Sequence, residues 1–347
     1  MRNGKSDLSG IFGLCFGYFF FYTFYGLFIK WLLDKRDGFP AMPGMEVLFH
    51  TTLGGTAICV AVVLLFWWPG RLKSTMPRIW GGRLPGEYAW LIPSGICTGF
   101  VIPTTTLMYT YGYSVMVAMV LMRASLVVAS RVVDAILIRQ GFLTKKVFWQ
   151  EDAAVLLAVG AISVVLFGAG PDDFQFFGSP AAMITMVCYI FPYSLRIYIL
   201  NRFKISVDHR AIFGIEQIFA SLTIVIGTIA AVLFVRAGVQ APQVVDYVRG
   251  LQHPDPAGIM IGVPYGIGAF FSVFLFLYKG GTATFNTTMN RLTSLVAGTA
   301  ATLGFFYLFQ GKPVASHEWT ALAIVVTAIG FLGWAGRRRQ QEAALAR

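Results

Sequence analysis

Ten long apolar stretches, joined by short polar connections, constrain this chain more than any other feature of its sequence. They lie at roughly 9–33, 44–68, 88–110, 113–137, 151–168, 180–200, 211–235, 258–278, 283–308 and 318–335. About 20 apolar residues are enough to cross the hydrocarbon core of a bilayer. Because backbone polar groups inside hydrocarbon must be bonded within their own segment, these spans are predicted to be helices. Continuous apolar runs, without alternation, argue against a transmembrane β-barrel.

The composition agrees with a membrane location. Apolar residues make up 56% of the chain and charged residues only 12%, whereas soluble domains average about 25% charged residues. This excludes an ordinary soluble domain. The first span is too long for a cleaved signal peptide and is predicted to remain as a helix.

The two halves of the chain repeat one pattern. The same residue types recur at an offset of 170 residues, with Gln140, Gly141, Trp149 and Gly160 matched by Gln310, Gly311, Trp319 and Gly330. Each half has five spans, so the second half enters the membrane from the opposite side. The predicted fold is therefore an all-α membrane protein of ten transmembrane helices in two inverted-topology repeats, 1–170 and 171–347. The seam between them is expected in the turn-rich segment 169–179.

The net charge of +11 is distributed as a topology signal. If the N-terminus is cytoplasmic, seventeen of the 27 Lys and Arg residues fall on that side, five on the other side and five inside spans. This positive-inside bias predicts a protein of the inner or plasma membrane with both termini on the cytoplasmic side. The expected partner of the positive charge is therefore the lipid bilayer and not nucleic acid. The longest external loop, 236–257, is expected to contain a short surface helix.

The architecture and the ends of the two repeats resemble the drug/metabolite transporter superfamily. The similar stretches are Met119–Gly168 and Thr287–Gly336, and the second contains Asn290–Leu295, Phe309–Pro313 and Glu318-Trp319. The resemblance implies carriage of a solute by alternating access, without covalent chemistry or a cofactor. In the triose-phosphate and nucleotide-sugar branch, basic residues of the ninth helix contact the phosphate of the substrate. Arg291 and Lys279 correspond to these in residue type and helix.

Two arginines are predicted near mid-depth in matching spans. Arg123 lies in the fourth span and Arg291 in the ninth, each about 12–15 Å from a membrane surface. A charge at the bilayer centre costs roughly 2.5–3.5 kcal/mol on insertion scales, so it needs a reason. Two guanidiniums suit capture of a carboxylate or phosphate. The alternative is structural, with each arginine bonded to helix-end carbonyls or to an acidic residue.

Two further pairs of opposite charge lie inside spans. Arg131 and Asp134 are three residues apart on one helix face, which favours an ion pair within the helix; a cytoplasmic gate is the alternative. Arg196 and Glu216 lie at similar depth in consecutive spans and are also predicted to pair. Proton or substrate coupling is the alternative for that second pair.

Aromatic residues and helix breaks point to the same central region. Tyr22 and Tyr193 belong to tyrosine stripes at helical spacing in the first and sixth spans, and Tyr265 follows Pro264 in the eighth. Prolines interrupt the third and eighth spans, which occupy corresponding places in the two halves, and paired interruptions of this kind mark the binding site of a transporter. The predicted substrate-binding residues are Arg123, Arg291, Tyr22, Tyr193, Tyr265 and Lys279.

The sequence therefore favours a secondary transporter for a small, polar, anionic metabolite. A flippase for a lipid-linked or amphipathic substrate on the same fold is the alternative. An enzyme is not expected, since the chain has neither HExxH nor GxSxG. No metal site is expected either, because no cysteine has a CxxC partner and Glu46 with His50 supplies too few ligands. A homodimer is left open.

Overall fold

The computed structural model describes residues 3–78, 82, 84–110, 115–142, 147–168, 179–279, 281–311 and 316–345. Within these residues the chain is helical, without a β-strand. The helices are α1 (Asn3–Leu33), α2 (Gly44–Leu65), α3 (Tyr88–Thr110), α4 (Val115–Arg139), α5 (Trp149–Gly168), α6 (Pro180–Phe203), α7 (His209–Arg236), α8 (Pro242–Gln252), α9 (Pro256–Phe276), α10 (Ala283–Phe309) and α11 (Ser316–Leu345).

The long helices follow the predicted spans, so the all-helical prediction is confirmed. Seven of the described helices contain a segment long and apolar enough to cross a membrane, namely α1, α2, α6, α7, α9, α10 and α11. The other three predicted spans fall on α3, α4 and α5. The short surface helix is present as α8. Ten crossings and two inverted repeats stay predictions, and all but the last residue of the expected seam, 169–179, lies outside the described residues.

Local sequence explains where several helices begin. The orphan N–H groups of a first helical turn need an acceptor, and Ser, Thr and Asp supply one. Four helices start this way, with the caps Ser179 on α6, Asp208 on α7, Asp255 on α9 and Thr282 on α10. A proline follows the cap in α6 and α9, at the position where its missing N–H costs nothing.

The helices pack mainly across the two halves of the chain. Helix α1 packs against α9 and α10, and α6 packs against α3 and α4. In the same way, α2 packs along α9 while α7 packs along α3. Pairs α5 with α11 and α4 with α10 also pack together. Each helix of one half thus has its main partners in the other half.

Glycines allow two of these pairs to approach closely. A methyl group on Gly262 of α9 would overlap the Thr51 carbonyl of α2, and one on Gly95 of α3 would come within 2.8 Å of the Glu216 carbonyl of α7. Small residues at such crossings let backbones pack directly. The close α3–α7 and α2–α9 contacts bring the interrupted helices α3 and α9 to the middle of the bundle.

Candidate functional site

A cavity of about 140 Å³ lies inside the helix bundle. Its wall is formed by residues of α1, α2, α3, α4, α6, α7, α9 and α10, so both halves contribute. The predicted residues that line it are Tyr22, Arg123, Tyr193, Tyr265 and Arg291. Five of the six predicted substrate-binding residues therefore line one cavity. They come from helices that are far apart in the sequence, and the fold brings them together.

Arg123 and Arg291 are buried and only partly bonded. Arg123 is 5% exposed, and its Nη2 lies 3.5 Å from the Tyr22 hydroxyl oxygen, while its Nη1 has no hydrogen-bond partner. Arg291 is 7% exposed; its guanidinium carbon lies 4.5 Å from the centre of the Tyr193 ring, but its Nε and Nη2 lack hydrogen-bond partners. Neither arginine has a carboxylate partner among the described residues. Buried donors without acceptors are costly, and both arginines lie in the wall of the cavity, which therefore suits an anionic ligand.

Arg196 also lines the cavity, but its charge is neutralised. Its Nε lies 2.5 Å from Oε1 of Glu216, and its Nη2 donates to Oε2 at 3.0 Å. Glu216 Oε1 further accepts hydrogen bonds from Ser94 Oγ at 2.8 Å and Thr98 Oγ1 at 3.0 Å. The predicted pairing of Arg196 with Glu216 is confirmed. The alternative role of this pair, in coupling protons or substrate to transport, stays a prediction.

The tyrosines form an aromatic wall beside the arginines. On α1, Tyr18 and Tyr22 have ring centroids 5.3 Å apart, and Tyr25 lies 4.7 Å from Tyr265 of α9. On α6, the centre of the Tyr193 ring lies 5.6 Å from the guanidinium carbon of Arg196 and 4.5 Å from that of Arg291. Ring faces next to cations stabilise the charge without neutralising it. The helical spacing of the stripes was the signal that located these residues.

The predicted ion pair between Arg131 and Asp134 is wrong. Arg131 instead pairs with Asp152 of α5 at 2.8 Å. Asp134 is fully buried and accepts hydrogen bonds from the backbone N–H groups of Ala283 and Thr284, at 2.8 and 2.7 Å. The first N–H groups of a helix are unsatisfied and carry partial positive charge, so a carboxylate binds them well. The packing of α4 on the start of α10 therefore outcompetes the local i,i+3 contact.

Lys279 does not line the cavity. Helix α9 ends at Phe276, and Lys279 lies in the following loop with an exposed side chain. The resemblance placed it with the basic residues of the ninth helix, but the matching helix α10 begins only at Ala283. Its position outside the cavity wall does not support a role in substrate binding.

A cluster near the start of α10 was missed by the sequence analysis. Glu151 of α5 is fully buried; it accepts hydrogen bonds from Thr282 Oγ1 at 2.6 Å and from the Phe148 N–H, and it forms an ion pair with Arg339 of α11. A carboxylate in the first turn of α5 is a recognisable capping signal. The contact with Arg339 has no local signal, because the two residues are 188 positions apart.

No family model and no curated protein sequence matches this chain. Nineteen solved chains match it in structure. One of them, described only as "Crystal structure of protein", aligns with 95% of this chain and 99% of its own length, with a TM-score of 0.54 and 16% sequence identity. A likeness at that identity concerns the fold alone.

Proposed function

We propose that this chain is a secondary transporter that moves a small, polar, anionic metabolite across a membrane by alternating access. The central cavity is the substrate site, with Arg123 and Arg291 binding the negative charge and Tyr22, Tyr193 and Tyr265 contacting the rest of the solute. The chain would belong to the drug/metabolite transporter superfamily and keep both termini in the cytoplasm. The observation that carries this proposal is the pair of buried guanidiniums at the cavity wall without a carboxylate partner.

The packing of the helices supports the inverted repeat. If α1–α5 correspond to α6, α7, α9, α10 and α11, then the contact of α1 with α9 corresponds to that of α6 with α3. The contact of α2 with α9 likewise corresponds to that of α7 with α3. Two similar halves that meet around one cavity can rock against each other and expose it to either side in turn. The substrate stays at the same guanidiniums while access changes.

The size of the cavity favours a small solute over the lipid-linked cargo of a flippase. Pockets for drug-sized ligands occupy roughly 300–1,000 Å³, and this cavity has about 140 Å³. A lipid-linked substrate would be larger than such ligands. The aromatic wall of α1 then serves to pack against the solute and the neighbouring helices.

Replacing Arg291 with methionine tests the proposal. The protein is screened by thermal shift with phosphorylated sugars, nucleotide sugars, amino acids and organic acids, and the best ligand is then followed by uptake into proteoliposomes. Arg291→Met should lower uptake by at least about tenfold, because hydrogen bonds to a charged group contribute roughly 1.5–3 kcal/mol each. The matched control is Arg338→Ala, which removes an exposed guanidinium paired with Glu342 and should leave uptake unchanged.

The stability of the ligand-free protein separates a binding role from a structural one. If Arg291 serves only to bind substrate, Arg291→Met removes an uncompensated buried charge and should not lower the melting temperature without ligand. A variant that transports the anion at the wild-type rate, or one that unfolds while its residual folded fraction transports normally, would contradict the assignment.

A further inference from the structure

The wall of the cavity holds positive charge without a carboxylate among its lining residues. Three arginines line the cavity, Arg123, Arg196 and Arg291. Glu216 is bonded to Arg196, and Asp134 is held by the backbone at the start of α10. Every other acidic residue in the predicted spans lies within three residues of a span end. Among the residues that the structure describes, no carboxylate pairs with the other two arginines at the cavity.

The three arginines differ in how well they are satisfied. The Arg196–Glu216 pair is joined by two hydrogen bonds, and Ser94 and Thr98 donate two more to the same carboxylate. Arg123 and Arg291 together leave three guanidinium nitrogens without an acceptor. Since Glu216 already cancels the charge of Arg196, the uncompensated charge around the cavity is two.

We propose that Glu216, by neutralising the charge of Arg196, is a specificity determinant that keeps at two the number of negative charges accepted by the cavity. This inference rests on the proposed function, since it concerns the same site. A solute with two negative charges neutralises both free guanidiniums. A solute with one leaves a buried guanidinium uncompensated, and a solute with three brings a charge that has no partner, and both are costly in a buried site.

The preferred cargo is therefore a small dianion. Dicarboxylates and phosphate monoesters both present forked oxygen acceptors that match a guanidinium. The cavity of about 140 Å³ favours a small cargo in this conformation. The charge count does not depend on which of these two oxygen groups the cargo has.

Variants of the pair change the charge of the site in a defined way. Arg196→Met leaves the carboxylate of Glu216 behind and lowers the uncompensated charge to one. Glu216→Gln frees the guanidinium of Arg196 and raises it to three. The double variant R196M/E216Q removes both charges and keeps the value at two. It therefore serves as the matched control for each single variant.

The test is calorimetric titration of the full-length protein in detergent near neutral pH. Glutarate has two charges, its monomethyl ester has one, and tricarballylate adds a third carboxylate to the same five-carbon chain. Glycerol 3-phosphate serves as the phosphate monoester. The wild-type protein should bind glutarate or glycerol 3-phosphate at least about tenfold more tightly than the monomethyl ester. The tighter of the two dianions identifies the oxygen chemistry.

The variants then show whether the pair sets this preference. R196M/E216Q should keep the wild-type order of affinities, Arg196→Met should shift it towards the monomethyl ester, and Glu216→Gln towards tricarballylate. If neither single variant folds, loss of the dianion preference in the double variant would overturn the proposal, and its retention would support a charge count set by Arg123 and Arg291. Equal affinity of the wild type for the monomethyl ester and the dianions would also overturn it.

The same titrations separate this inference from the proposed function. If anions bind the wild type but charge does not order their affinities, only the role of the pair is refuted. If the uncharged dimethyl ester of glutarate binds and none of the anions does, the anion-transport proposal fails as well.

Discussion

Asp134 gives the sharpest test of the packing around the site. Its carboxylate is fully buried on α4 and accepts two hydrogen bonds from the first backbone N–H groups of α10, those of Ala283 and Thr284. Arg291 lies eight residues further along α10, about 12 Å by helical rise. Asp134→Ala therefore removes an anchor of the helix that holds Arg291.

The size of the effect can be worked out from these contacts. A hydrogen bond to a charged group contributes about 1.5–3 kcal/mol, so losing two should cost about 3–6 kcal/mol of unfolding free energy. Arg131→Ala should cost much less, about 0–1 kcal/mol, because its ion pair with Asp152 is partly exposed to solvent. The pairing within α4, predicted from sequence, would instead make the two substitutions interact.

A double-mutant cycle distinguishes these expectations. Unfolding is titrated with dodecyl sulfate in mixed micelles and followed by tryptophan fluorescence for the wild type, Arg131→Ala, Asp134→Ala and the double variant. The two effects should add to within about 0.5 kcal/mol, since Arg131 and Asp134 share no partner. A partial rescue of Asp134→Ala by Arg131→Ala, by more than about 1 kcal/mol, would show that the two residues pair and would refute the reasoning.

Two further predictions concern helix packing and acid sensitivity. Gly262→Ala should destabilise the protein by about 1–3 kcal/mol in the same titration, because its methyl group overlaps the Thr51 carbonyl, whereas Gly227→Ala, with no atom within 4 Å of the new methyl group, should not. Burial raises the pKa of Glu87, but hydrogen bonds from the Thr75 N–H and nearby hydroxyls outweigh this and hold the pKa below its usual value. Its contribution should be complete above the unfolded-state pKa of about 4.3 and be lost as pH falls through the lower folded pKa. The stability difference between wild type and Glu87→Gln should therefore shrink in acid, and a constant difference would contradict this.

Residues placed by helical periodicity were the most predictable part of the site. Tyr22 and Tyr193 belong to stripes whose spacing places each stripe on one helix face. Arg123 and Arg291 stand out because a charged side chain inside an apolar helix is costly unless it has a binding or structural role. Both features are local, so they can be read without knowing which helices touch. The position of Lys279 does not support its assignment, because that assignment rested on a resemblance in residue type and Lys279 lies between the end of α9 and the start of α10.

Partner choice between charged residues was the least predictable. The i,i+3 spacing favours a local ion pair between Arg131 and Asp134. The prediction for Arg196 and Glu216 rests only on their similar depth in consecutive spans. The structure breaks the first pair and forms the second. A buried carboxylate goes to the strongest set of donors within reach, and for Asp134 those donors are backbone amides that lie 149 and 150 residues away.

The sequence by itself determined that the chain is a bundle of long apolar helices, because a run of about 20 apolar residues has no other stable arrangement in hydrocarbon. It also placed the buried arginines and tyrosines on helix faces, since helical spacing fixes those positions. Only the tertiary structure decided that residues from both halves meet around one cavity and that Glu216 neutralises one of its three arginines. These outcomes depend on which helices pack together and on competition among distant hydrogen-bond partners, and neither is encoded in any local segment.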